Sequence, residues 1–186
     1  MVIREEENTK RRASQLYDLL KQSSLEPGSF ASLQAIHQYI FQDVYEFAGQ
    51  LRMVNISKGN FRFCSVVYLA QAIKKIELLP QDTFDELIEK YVEMNIAHPF
   101  RDGNGRSMRI WLDQMLKAAI GKVVDWSQVD KEEYLTAMTI SPVDSRKLKE
   151  LLQQALTDRV ENREQYLKGI DHSWYFEGLM EYKAPI

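Results

Sequence analysis

Apolar residues recur along most of the chain at the three- and four-residue spacing of an α-helix. Residues 7–22 predict a first helix. It is closed by SSLEPGS at 23–29, where Pro27 and Gly28 break the period. In 29–48, Phe30, Leu33, Ile36, Ile40, Val44 and Phe47 fall on one helical face, and Gly49 offers a C-terminal stop. Residues 51–63 depart from this period. Val54 and Ile56 alternate with polar neighbours, as do Phe61 and Phe63, and SKGN supplies a turn between them. This predicts a β-hairpin. The helical period then returns. Val67, Leu69, Ala70, Ile73 and Ile76 predict a helix ended by Pro80, and Thr83 caps another that runs into His98. Further helices are expected over 106–120, after Asp130 with Glu133, from Pro142 to near Thr157, and over 160–168 as far as Gly169. A last turn is expected at about 173–177. The pattern predicts an all-α domain carrying one small hairpin.

The chain has 186 residues, which suits a single domain over 1–186 with a sizeable core. Its 45% hydrophobic and 27% charged residues argue for a globular protein. The formal net charge of −3 argues against a nucleic-acid surface. No apolar stretch is long enough to span a membrane, and the charged start MVIREEENTKRR lacks a signal-peptide core. Cys64 is the one cysteine, so no disulfide closes within the chain; a cytoplasmic setting and a buried, inert thiol are expected.

One stretch breaks the apolar logic. HPFRDGNGRSMR, residues 98–109, sets many polar groups between two core helices. Pro99 cannot continue the preceding helix. Gly103 and Gly105 free the backbone for a turn, and the next helix is expected to start near Gly105 or Arg106. Its first N–H groups are unpaired and carry the positive end of the helix dipole, which makes a phosphate-sized anion site. Arg106 and Arg109 share a helix face that Asp113 continues, and their forked donors suit a di- or triphosphate. Asp102 can hold Mg²⁺ against those phosphates, Asn104 offers its amide, and His98 can take a proton from an incoming hydroxyl. Each part has an ordinary structural use. Together they point to nucleotide phosphate chemistry, without saying which phosphorus is attacked.

At these residues the sequence resembles the Fic-domain family, whose pattern is H-x-F-x-(D/E)-G-N-G-R-x-x-R. His98, Phe100, Asp102, Gly103, Asn104, Gly105, Arg106 and Arg109 meet it in full. A chance match at these positions is on the order of 10⁻¹⁰ per starting point. The resemblance implies a Fic-type helical fold with a flap over the active site. It also implies a protein adenylyltransferase, moving AMP from ATP to a Tyr, Thr or Ser hydroxyl of a target protein. His98 would be the base, Asp102 the Mg²⁺ ligand, and Gly103, Asn104 and Gly105 the phosphate nest. Arg106 and Arg109 would hold the outer phosphates, and Phe100 would anchor the loop in the core. The intact GNGR favours AMP transfer over phosphate transfer. The hairpin residues Asn55, Ile56, Ser57, Lys58, Gly59, Asn60, Phe61, Arg62 and Phe63 would form the flap that docks an extended target segment.

The C-terminal segment 160–186 contains SWYFEG, residues 173–178, which matches the family's inhibitory pattern (S/T)-x-x-x-E-(G/N). Its position resembles that of the single-chain group with a C-terminal inhibitory helix (class III), here at about 173–178. Ser173 and Glu177 share a helix face, and Ser173 can cap the turn. The resemblance implies that Glu177 pairs with Arg109 and leaves ATP in an unreactive pose, with Trp174, Tyr175 and Phe176 docking the helix. Two alternatives stay open. Glu177 with a divalent cation could activate water and remove AMP from a protein, or the domain could be a non-catalytic nucleotide switch. The presence of both His98 and Asp102 argues against the switch. Self-modification, at Tyr175 or Tyr182, and self-association are both compatible with the resemblance.

Overall fold

The computed structural model describes residues 2–186, with side chains from Arg4 onward. Helices α1 (Val2–Gln22) and α2 (Phe30–Phe41) precede a hairpin of β1 (Ser57–Lys58) and β2 (Phe61–Arg62). Then come α3 (Val66–Glu77), α4 (Phe84–Ala97) and α5 (Asn104–Ile120). The chain continues through β3 (Val123–Val124), a 3₁₀ turn at Trp126–Gln128, α6 (Lys131–Ile140), α7 (Arg146–Gln154), β4 (Leu156–Thr157) and α8 (Arg163–Phe176). The fold is all-α with one minimal hairpin, β1–β2, and one two-stranded antiparallel ladder, β3–β4. Helix α5 is its axis. Met108, Trp111, Leu112, Met115 and Leu116 are fully buried, and α2, α4 and α8 pack around them. Helix α1 lies across α2 and α8. Among the described residues no helix is long and apolar enough to cross a membrane.

Local chemistry explains the helix starts. Thr83 and Glu86 form a reciprocal capping box before α4. Asp130 accepts from the Glu133 N–H at the start of α6. The hairpin turns at Gly59–Asn60, with Gly59 at φ +58°, and pairs Ser57 with Arg62 and Lys58 with Phe61. It is shorter than the alternation suggests. Val54 and Ile56 stand outside it, and Val54 is exposed.

Other boundaries differ from the expectations. Helix α1 begins earlier, at Val2, and α5 begins at Asn104. Helix α2 ends at Phe41 rather than running to Phe47, because a turn carries Gly49 back so that its N–H donates to His37 Nδ1 at 2.9 Å. Pro142 closes α6 instead of opening a helix: the Val143 and Asp144 N–H groups fold back to the Ile140 carbonyl, and α7 starts after Ser145. Thr157 is not helical but in β4, which pairs with β3. Gly169 does not stop α8; the helix runs through it to Phe176, and there Gly169 packs on Trp126. Ser173 is therefore interior to α8 and caps nothing. On α3, Val67 and Ala70 face outward, while Leu69, Ile73 and Ile76 are buried. Cys64 is half-buried and free.

Candidate active site

Residues 98–109 form one wall of a cavity of about 310 Å³. The wall begins at a strained residue. His98 ends α4 in the left-handed region, at φ 51° and ψ 66°, and is the one non-glycine residue with positive φ among the described residues. Such a conformation persists only where the surroundings enforce it. Arg52 is part of that enforcement. Buried and donating from every guanidinium nitrogen, it reaches the carbonyls of His98 (2.7 Å), Val54 (2.9 Å), Cys64 (2.5 Å) and Ala97 (3.0 Å). It thus ties the end of α4 to the base of the hairpin.

The His98 ring is set for base chemistry. Its Nδ1 lies 3.0 Å from the Asn95 carbonyl, which can only accept, so Nδ1 carries the proton and Nε2 keeps its lone pair. The ring stacks on Phe63 at 3.7 Å between centroids and 13° between planes. Burial, with the charges of Arg52 and Lys58 opposing a further cation, lowers its pKa to about 4. His98 is therefore neutral at pH 7.

The loop beyond His98 is anchored from beneath. Phe100 is fully buried and stacks on His37 at 3.8 Å. His37 accepts the Gly49 N–H at Nδ1, so its Nε2–H donates to the Asp102 carbonyl at 2.7 Å. The Asn104 side chain is turned onto the loop: its Oδ1 accepts from Phe100 N (2.9 Å) and its Nδ2 donates to Phe100 O (2.7 Å). That corrects the expectation of a side-chain amide aimed at phosphate; what Asn104 can offer is its backbone N–H in the first turn of α5. Gly103, at φ +79°, makes the turn, and a Cβ there would meet Phe41 at 2.5 Å. Gly105 has ordinary φ, but a Cβ would meet Glu177 Oε1 at 2.6 Å and Arg109 Nη1 at 2.9 Å.

Both arginines of the motif are buried. Arg109 donates to Ser173 Oγ (2.6 Å), to the Ser173 carbonyl (2.8 Å) and to Glu177 Oε1 (2.8 Å). Glu177 caps the end of α8 and is about one-third exposed, at 34%. Burial raises its pKa, but the adjacent Arg109 guanidinium outweighs this and holds the carboxylate below its usual range. Trp174 and Phe176 are buried, and Trp174 Nε1 donates to Thr9 Oγ1 on α1 at 2.8 Å. Asp113 does not continue the arginine face. Its half-buried carboxylate accepts from Val124 N and Trp126 Nε1, which fixes the turn after β3. Arg106 instead pairs with Glu5 of α1 at 3.2 Å.

Of the hairpin, Lys58, Gly59, Phe61 and Phe63 line the cavity, and Asn55, Ile56, Ser57, Asn60 and Arg62 do not. Asn55 supports the base by accepting the Val66 N–H at the start of α3. The facing wall comes from α4 and α6, through Tyr91, Tyr134, Leu135 and Met138. The sequence reading missed Glu5, His37, Tyr45 and Arg52. Each acts on a residue far along the chain, and no local pattern marks it.

A helical domain in which the start of α5, a neutral histidine and a short hairpin meet at one cavity is the arrangement to compare with known proteins. The profile of the Fic/DOC family matches residues 27–116. The "Probable protein adenylyltransferase y4lH" of Sinorhizobium fredii is 32% identical over 137 residues, covering 66% of this chain and 71% of that protein. The "Probable protein adenylyltransferase Fic" of Salmonella typhimurium is 32% identical over 141 residues, covering 68% of each chain. This chain belongs to the Fic/DOC family. Among solved structures, the BepC protein of Bartonella tribocorum with bound AMPPNP superposes with a TM-score of 0.66 at 20% identity, over 83% of this chain and 87% of that one. The FIC domain of Bep8 from Bartonella sp. 1-1C gives a TM-score of 0.68 at 18% identity, over 82% and 85%. These two likenesses are in fold.

Proposed function

We propose that this protein transfers AMP from ATP to a hydroxyl side chain of a target protein, and that Glu177 restrains the transfer. The observation that carries the reading is the convergence of His98, Asp102, the first turn of α5, Arg106 and Arg109 on one cavity. His98 Nε2 takes the proton of the incoming hydroxyl as its oxygen attacks the α-phosphorus. The bond to the β-phosphate oxygen breaks, and pyrophosphate leaves. The unpaired N–H groups at the start of α5 receive the phosphates, with the dipole of a 17-residue helix behind them. Arg106 and Arg109 grip the outer phosphates. The apolar side of the cavity, Tyr134, Leu135 and Met138, is left for the nucleoside. The hairpin, a two-stranded sheet with open edges, is suited to pair with an extended target segment.

The residues present fit a Mg²⁺ ion that arrives with the nucleotide. Asp102 is 64% exposed at the cavity, and among the described residues no group of three or more His, Cys, Asp or Glu could form a closed cage. One carboxylate plus substrate phosphates is the usual Mg²⁺ arrangement. The bound ion would neutralise phosphate charge as pyrophosphate departs.

The restraint rests on the Arg109–Glu177 contact. A γ-phosphate must displace that carboxylate to reach Arg109. One charge-assisted bond, discounted for its one-third exposure, resists by about 1–2 kcal/mol, or about 5–30-fold in rate. The test uses ATP labelled at the α-phosphate, Mg²⁺ and host lysate, with wild type, Glu177→Gly, and Glu177→Gly combined with His98→Ala. Strong labelling of protein by the single variant only is expected. ATP binding without label from any form would overturn the transfer reading in favour of AMP removal or a nucleotide switch.

A further inference from the structure

Two side chains from separate parts of the chain, Glu5 and Tyr45, meet behind the first motif arginine. Glu5 Oε1, on α1, accepts from Arg106 Nη1 at 3.2 Å and from the Tyr45 hydroxyl at 2.7 Å. The Tyr45 oxygen also lies 3.2 Å from Asp102 Oδ2 and 3.4 Å from Arg106 Nη2. Rings flank the Arg106 guanidinium, Phe41 at 4.7 Å and Trp174 at 5.7 Å.

The cavity separates these groups by role. Arg106, Asp102, Arg109 and Glu177 wall it, whereas Glu5 and Tyr45 are not among its walls. Glu177 thus stands where a phosphate would go. Glu5 holds Arg106 from the opposite side and obstructs nothing. It engages one of five guanidinium N–H donors, Tyr45 takes a second at 3.4 Å, and the rest are left for phosphate. The phenol adds a constraint of its own, because it has a single proton and two carboxylates within reach. The shorter contact is to Glu5, so the proton points there and away from Asp102.

We propose that Glu5 is a positioning residue for nucleotide and metal together: it fixes Arg106 in its phosphate-gripping pose and, by claiming the Tyr45 proton, keeps Asp102 open to a divalent cation. This rests on the reading that Arg106 takes phosphate and Asp102 takes Mg²⁺. The two carboxylates at the arginines then do opposite work. Glu5 prepares Arg106, and Glu177 withholds Arg109.

The test measures ATP binding by fluorescence or calorimetry across a Mg²⁺ series, and KM and kcat for transfer, in the Glu177→Gly background. Glu5→Ala should weaken ATP binding and raise KM by about tenfold, as expected for loss of one charge-assisted support, with kcat changed less. It should also raise the Mg²⁺ concentration needed for half-maximal ATP binding, because the freed phenol turns to Asp102. Adding Tyr45→Phe to Glu5→Ala should restore the Mg²⁺ midpoint and leave ATP binding weak. Glu5→Gln, which keeps an acceptor for Arg106, should recover most of the affinity. Melting curves establish that each variant is folded. Arg106→Ala separates the two levels of the argument. If it leaves ATP binding unchanged, the phosphate reading falls. If it weakens binding while folded Glu5→Ala and Glu5→Gln match the parent in affinity and Mg²⁺ midpoint, the positioning role alone is overturned. Tighter ATP binding by Glu5→Ala would also overturn it, since Glu5 would then be a second obstruction.

Discussion

Arg52→Met should destabilise the fold strongly, although Arg52 does not touch the cavity. The variant keeps the apolar stem and removes the donors. The carbonyls of His98, Val54, Cys64 and Ala97 then lose their partner in a region that water reaches poorly. The left-handed backbone at His98 also loses a restraint. Each bond would be worth about 1.5–3 kcal/mol if nothing replaced it, but water can re-pair the carbonyls nearest the surface. A net loss of about 3–5 kcal/mol follows, in line with removing one partner from a buried charged network. At about 2–4 °C per kcal/mol for a chain of this size, Tm should fall by roughly 6–20 °C. Thermal unfolding reads the loss directly. A second readout is more specific. The His98 pKa, held at about 4 by burial and then by Arg52 and Lys58, should rise toward 6.5 on NMR titration. Arg52→Lys should rescue only part of the stability, because one ammonium cannot reach all of these carbonyls. If Tm moved by less than ~2 °C, the idea that Arg52 holds this corner together would be refuted.

The pH dependence has a definite sign. His98 and His37 both fall from 6.5 to about 4 in the folded state, each mainly through burial. The unfolded chain therefore binds more protons between those values, and their contribution to stability is full above pH 6.5 and is lost as pH falls toward 4. Denaturant midpoints should decline across that window, and transfer by Glu177→Gly should lose its base near pH 4 rather than near 6.5 if the fold survives. Gly105→Ala should cost about 1–3 kcal/mol, because its Cβ meets Glu177 Oε1 at 2.6 Å. In the Glu177→Gly background at least half of that cost should disappear from a double-mutant cycle of melting temperatures; full additivity would mean that the carboxylate yields freely. Gly169→Ala should stabilise by about 0.5–1 kcal/mol, since helix propensity favours alanine by that much. The new methyl would sit 3.6 Å from Trp126 Cδ1, an ordinary contact, and a drop in Tm would show the fit with Trp126 to be tighter than that.

The parts legible in the sequence are those whose causes lie within a few residues. Thr83 with Glu86, and Asp130 ahead of Glu133, mark helix starts because the cap and the N–H it satisfies are neighbours in the chain. The nest after Asp102 is legible for the same reason. The failures share the opposite property. Gly169 looks like a stop until Trp126 is seen packing on it. Pro142 suits a first turn by its fixed φ, yet the Ile140 carbonyl has already drawn the chain into a closing turn. Asp113 has the spacing to join the arginines, but two N–H donors after α5 claim it first.

The candidate site divides along the same line. Most groups proposed to touch phosphate, metal or the reacting proton lie in one run from His98 to Arg109. The groups that hold them come from everywhere else: Glu5 on Arg106, His37 under Asp102, Arg52 on His98, Ser173 and Glu177 on Arg109. A twelve-residue motif can therefore announce the chemistry while saying nothing about its control. In the proposed reading control resides in α1 and α8, which reach Arg106 and Arg109 of α5, and those helices also grip each other, through Trp174 on Thr9. The grip bears on how restraint can be lifted. Trp174, Phe176 and Ile170 are buried, and each contributes about 1.5–3 kcal/mol of apolar burial. Glu177 holds Arg109 by a single contact of about 1–2 kcal/mol. Swinging that one carboxylate aside therefore costs far less than undocking α8, and Ser173 can stay on Arg109 while it happens.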